Sequence, residues 1–139
     1  GMFPAPGWDG AADWTGFVPF AQMPHVENPT RGMLAAANSR PAPRDHPVFL
    51  GRTWPGDWRL RRIRELLLAR PRHDAASFAL MQNDTVSLFA RDVLPVLSAV
   101  RPSAAAARAH ALLREWDGTM SADKPQPLIF HSWMRAFRR

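Results

Sequence analysis

Cysteine is absent from this chain, which excludes disulfides, thiolate metal sites and a cysteine nucleophile while leaving the compartment open. Also missing is any apolar run long enough to cross a bilayer, so no membrane partner is expected, and no charged-then-apolar secretory leader opens the sequence. The histidines His25, His46, His73, His110 and His131 never recur at the His-x-x-x-His spacing that puts two ligands on one helix face. Asp45-His46-Pro47 reads as a turn, so neither a metal nor any other cofactor is expected. No G-x-S-x-G elbow surrounds Ser39, Ser77, Ser87, Ser98, Ser103, Ser121 or Ser132, and a serine-histidine-aspartate hydrolase therefore has no local support.

What the chain does have is punctuation first and helical period later. Its fourteen prolines and eight glycines are concentrated in the first half. A length of 139 residues suits a single domain, with a turn-rich part over 1–56 and a helical part over 57–139. The fold expected is helix-dominated α+β: short strands and coil, then about four helices. Eighteen basic residues against twelve acidic give a formal charge of +6, nearly all of the bases being arginine. A nucleic-acid surface is one reading of that excess. The arginines are spread along the chain without a recognised binding module, which favours solvated basic helix faces and no nucleic-acid partner.

Asp57 to Arg70 gives the clearest helix, with Asp57 as its cap, Leu60, Ile63, Leu66 and Leu67 along one face, and Pro71 ending it. Arg61, Arg62, Arg64 and Glu65 fall mostly on the other side. Arg59 lies in the first turn, where the helix dipole disfavours a cation; a surface arginine costs only tenths of a kcal/mol there, yet the position also suits a residue that serves a site. Asp74 is expected to cap a longer helix to about Val93, with Phe78, Met81, Thr85, Leu88 and Phe89 inward and Pro95 kinking or ending it. Ser103 caps an alanine-rich helix to Trp116, stopped by Asp117-Gly118. The last helix runs from Pro127 to Phe137, with Ile129, Trp133 and Phe137 in line. Before the helices, Trp8 and Trp14 are expected to anchor an irregular entry on the core, and Phe17–Phe20 forms a short edge strand.

The stretch from Val18 to Arg40 organises the chain. Asn28-Pro29 and Thr30-Arg31-Gly32 are turns, and Met33–Ala37 reads as a short strand that delivers Asn38 at its end. Taken alone, Asn38 is an ordinary turn asparagine.

Gly7–Gly10 (GWDG), Asp13–Phe20 (DWTGFVPF), Met23–Pro29 (MPHVENP), the Gly32 turn and Ala37–Pro41 (ANSRP) together resemble the penicillin acylase family. The likeness continues through Trp58–Pro71 (WRLRRIRELLLARP) and Leu113–Asp123 (LREWDGTMSAD). The family comprises amide hydrolases with an N-terminal nucleophile, including acylases of acyl-homoserine lactones. The resemblance implies an interior piece of the nucleophile-bearing subunit of such an enzyme. There an N-terminal serine attacks the amide carbonyl with its own α-amine as base, a group that titrates near pH ~8. By motif position Asn38 is the family's oxyanion asparagine and Arg59 the arginine that supports the site. The second asparagine common in the family is Ser39 here.

No nucleophile is expected within this chain, because the first serine is Ser39, inside the oxyanion motif and without a free α-amine. The opening Gly1-Met2 reads either as a tag remnant before a start methionine or as the edge of a cloned segment. The resemblance implies the remainder of an acylase as partner, with an exchanged-segment homodimer also compatible, and export to the periplasm or beyond for a full-length relative. The alternatives are a catalytically inactive structural or interaction module of that ancestry, and, behind it, a basic nucleic-acid binder.

Overall fold

The computed structural model describes residues 3–138; the Gly1-Met2 opening and the terminal Arg139 lie outside the described residues. Among the described residues five helices follow a long irregular entry: α1 (Trp58–Leu68), α2 (Ala75–Gln82), α3 (Leu88–Ser98), α4 (Ala107–Arg114) and α5 (Gln126–Phe137). The core lies among α3, α4 and α5, where Ala90, Leu94, Leu97, Leu113, Trp116 and Phe130 are buried together. Phe130 is fully enclosed, its ring 5.9 Å from that of Phe89 and 5.5 Å from that of Trp116. Burial of one such side chain contributes roughly 2–3 kcal/mol. The expected row on the last helix is thus displaced by one position: Ile129 and Trp133 flank the core, while Phe137 stacks on Trp133 at 5.4 Å and stays largely exposed.

The helix expected from Asp74 to Val93 is two helices. Asp74 caps the first as anticipated, Oδ1 accepting from Ser77 N at 2.8 Å while Ser77 Oγ accepts from Asp74 N at 2.9 Å. The break falls at residues 83–87, where main-chain groups leave the helix to bond elsewhere: Ser87 N donates to Gly118 O at 2.9 Å and Met120 N to Thr85 O at 2.9 Å. Ser87 then caps α3, accepting from Ala90 N at 3.2 Å. Phe78 and Thr85 consequently face outward, whereas Leu88 is buried. Pro95 does not end its helix: it lies inside α3, which runs on to Ser98.

Two expected caps make no side-chain capping bond. Asp57 instead pairs with Arg61 at 3.4 Å, and Ser103 opens a 3-10 turn (Ala104–Ala106) that leads into α4. That helix stops at Arg114, so Trp116 and the Asp117-Gly118 turn lie beyond it, with Asp117 Oδ1 accepting from Thr119 N at 2.9 Å.

No strand forms among the described residues; the β content is one isolated antiparallel bridge, Val86 to Thr119. The expected strand at Phe17–Phe20 is replaced by coil and a 3-10 turn (Phe20–Gln22) that Pro19 opens. Met33–Ala37 keeps the pleat of a strand without its ladder. From Met33 to Arg40 half-buried and exposed residues alternate strictly, yet Met33, Leu34, Ala35 and Ala36 make no main-chain hydrogen bond among the described residues. A strand needs a neighbour to bond to, and none of these residues provides one. The tryptophan anchors are also absent: Trp8 and Trp14 are 88% and 92% exposed.

Candidate active site

The irregular entry reaches the helices at one point that carries chemistry. Pro29 O accepts from Gly32 N at 2.8 Å, closing the turn before the pleated stretch, and Gly32 takes φ +66°. The stretch runs past α1 and ends at Asn38, whose φ of 55° is left-handed. Asparagine tolerates that conformation better than other residues with a side chain. The turn swings its amide toward the first turn of α1, where Arg59 waits. Arg59 Nη2 donates to Asn38 Oδ1 at 2.8 Å and to Ala37 O at 3.2 Å.

The chemistry of the pair fixes the orientation of the amide. A guanidinium carries only donors, so the Asn38 atom facing it must be the oxygen. Nδ2, the donating end, is then turned away from Arg59 and has no protein partner among the described residues. Both side chains are exposed. The arrangement presents one oriented NH2 group, held from behind by a cation, to an incoming acceptor.

Other arginines on α1 bind the helix to its neighbours. Arg62 grips Asp84 with two bonds, Nε to Oδ2 at 2.9 Å and Nη2 to Oδ1 at 2.6 Å, and reaches Glu65 at 3.1 Å. The Arg62 hydrogen bonds hold the Asp84 carboxyl below the usual carboxylate range, against its partial burial. Arg61 and the Trp58 indole both donate to Asp92 on α3, and these bonds likewise lower the Asp92 carboxyl. Arg61 and Arg62 were expected on a solvated face, and each is instead committed to a carboxylate. Asp57 four residues before Arg61 was a legible pairing; the Asp84 and Asp92 partners, 22 and 31 residues away, left no local signal.

The open grooves lie beside the Asn38–Arg59 pair rather than around it. A groove of about 1100 Å³ is lined by residues 31–36, the end of α1 and part of α2, and Asn38 is not among its walls. A second, of about 740 Å³, shares residues 33–36 with the first and extends to Ser39 and Arg40. A third, of about 480 Å³, has Arg59, Trp58 and Met81 in its wall. Among the described residues no three His, Asp or Glu side chains converge as a metal site. His110 Nε2 lies 3.2 Å from Leu97 O and so links α4 to α3, and His46 accepts from Val48 N at 3.2 Å in a turn.

The family model described as penicillin amidase matches residues 1–139. Among individual proteins, the chain is 32% identical over 141 residues to the penicillin acylase 2 proenzyme of Pseudomonas sp. (strain SE83), with all of this chain and 18% of that protein covered. It is 35% identical over 99 residues to the acyl-homoserine lactone acylase QuiP of Pseudomonas putida, covering 71% of this chain and 12% of the relative. Penicillin G acylase of Escherichia coli is 36% identical over 100 residues, covering 69% of this chain and 12% of the relative. The chain therefore spans less than a fifth of the length of each of these relatives.

Proposed function

Since the chain belongs to the penicillin amidase family, we propose that it is the oxyanion-bearing region of an amide hydrolase that cleaves a linear C–N bond in an N-acylated substrate. Substrates of the class named by its relatives, a penicillin or an acyl-homoserine lactone, fit that reading. The observation that carries it is the orientation of Asn38: Oδ1 is occupied by Arg59 and Nδ2 is left as a fixed donor. When a nucleophile attacks an amide carbonyl, negative charge grows on the carbonyl oxygen, and a donor already aimed there stabilises the transition state more than the ground state. Arg59 withdraws electron density from the amide oxygen and makes Nδ2–H a stronger donor.

In this reading the nucleophile is an N-terminal serine outside these residues, and the acyl pocket is built largely by the rest of the acylase. Support comes from the grooves, none of which has Asn38 in its wall, and from the pleated Met33–Ala36 stretch, whose main-chain groups are unpaired among the described residues. The test is an Asn38→Ala substitution in the acylase that carries this region, expected to lower kcat by about 10²–10³-fold with KM little changed. Full activity in a folded Asn38→Ala enzyme would contradict the assignment.

A second reading is favoured by the exposure of Asn38: a non-catalytic module of the same ancestry that works by association. It expects a polypeptide that self-associates through its exposed apolar residues, among them Phe17, Phe20 and Leu34, and shows no amide hydrolysis in any assembly.

A further inference from the structure

Trp58 immediately precedes Arg59 and is held on three sides. Its indole Nε1 donates to Asp92 Oδ2 at 2.8 Å. Its ring meets Phe89 edge-on, with centroids 4.8 Å apart and planes at 68°. The third side is Gly56, where a Cβ would lie 1.9 Å from Trp58 Cζ3 and 2.3 Å from Cε3, so any side chain there must displace the indole. Arg61, three residues after Trp58, donates to the same Asp92 oxygen. One carboxylate on α3 thus takes hold of α1 on either side of Arg59.

We propose that Gly56 and Asp92 are positioning residues for the Asn38–Arg59 pair, acting through Trp58. Residues three apart share a helix face, so the double hold on Trp58 and Arg61 fixes the rotation of α1 about its own axis. Arg59 projects about 100° further round from Trp58, and its direction follows from that rotation. Releasing the clamp so that α1 turned by about 20° would carry a group at the ~6 Å side-chain radius by about 2 Å. A hydrogen bond of 2.8 Å does not survive such a shift. Arg59 would then let go of Oδ1, and the amide would lose the restraint that aims Nδ2. The catalytic consequence rests on the function proposed for Asn38; the clamp itself does not.

The two parts are tested separately. In the 139-residue chain labelled with nitrogen-15, the Asn38 side-chain amide resonances report the Arg59 contact, and Arg59→Ala supplies the reference for its loss. Gly56→Ala and Asp92→Ala are expected to move those resonances toward the Arg59→Ala position. Asp92→Asn, which keeps an acceptor oxygen, should restore most of the wild-type shift, and Asp117→Asn, remote from α1, should leave it unchanged. Trp58→Phe, which keeps the ring on Phe89 and removes only the indole donor, serves should Asp92→Ala fail to fold. Unmoved Asn38 resonances in folded Gly56→Ala and Trp58→Phe chains would overturn the clamp. In the acylase that carries this region, Gly56→Ala and Asp92→Ala should lower kcat about tenfold at unchanged KM. An unchanged kcat beside shifted resonances would overturn the catalytic consequence alone. Full activity of Asn38→Ala would instead remove the function proposed for the site and leave the resonance test of the clamp intact.

Discussion

Arg59 Nη2 reaches Asn38 Oδ1 at 2.8 Å across 21 residues of sequence, joining the end of the irregular entry to the first turn of the first helix. The same nitrogen bonds Ala37 O at 3.2 Å, so the main chain and the amide are held together. A cation in the first turn of a helix works against the helix dipole. Here it meets two oxygens instead.

Removing that cation tests what it contributes. With Arg59→Ala, Asn38 remains but its amide is free to turn either end outward. In the acylase that carries this region kcat should fall about tenfold, less than for loss of Asn38 itself, since one hydrogen bond's worth of orientation is lost. A loss as large as that of Asn38→Ala would assign Arg59 a direct part in the reaction.

The bidentate Arg62–Asp84 pair ties α1 to the break between α2 and α3, with side chains 22% and 16% exposed. Asp84→Asn is expected to destabilise the chain by roughly 1–3 kcal/mol in urea unfolding at neutral pH. The folded-state pKa of Asp84 is lowered, chiefly by the Arg62 hydrogen bonds. Its contribution is therefore fully present above the unfolded value of about 3.9 and is lost as pH falls through the lower folded value. The gap between wild type and Asp84→Asn should narrow as unfolding is measured at successively more acid pH below about 4.

Gly118 takes φ +83° beneath the start of α3, where a Cβ would meet Arg91 Cγ at 3.0 Å and Ser87 O at 3.2 Å. Arg91 can move aside, but the Ser87 carbonyl belongs to the cap of α3 and cannot move freely. Gly118→Ala should cost at least the roughly 1–2 kcal/mol of a left-handed non-glycine residue, read as a lower urea midpoint. Gly7→Ala, with nothing within 4 Å of the added carbon, should leave the midpoint unchanged.

Helices with strong periodicity were legible in the sequence, whereas of the caps expected at Asp57, Asp74 and Ser103 only that of Asp74 formed. Leu60, Ile63, Leu66 and Leu67 on α1 and the Asp74–Ser77 box on α2 needed only neighbours within a turn or so. The break at residues 83–87 was not legible, because it depends on Gly118 and Met120, more than thirty positions away in the chain. Strands fared worst for the same reason: the alternation at Met33–Arg40 is written in the residues, while the ladder that would make it a strand requires a partner these residues do not contain. At the site, Asn38 and Arg59 were singled out by family resemblance, and the structure places them in contact. Trp58 opened the Trp58–Pro71 likeness without a role of its own, and Gly56 and Asp92 carried no motif, since their relation appears only once α1 lies on α3.

The most direct test of Asn38 as an oxyanion donor is to compare Asn38→Asp with Asn38→Ala by single-turnover kinetics in the acylase that carries this region. Aspartate accepts the same Arg59 bond and tolerates the left-handed backbone, so it preserves the loop while replacing the Nδ2 donor with an oxygen. If the donor is what matters, Asn38→Asp should lose about 10²–10³-fold or more in the acylation rate, at least as much as Asn38→Ala. Near-normal acylation by Asn38→Asp would show that Asn38 shapes the loop and gives nothing to the oxyanion, contradicting the account.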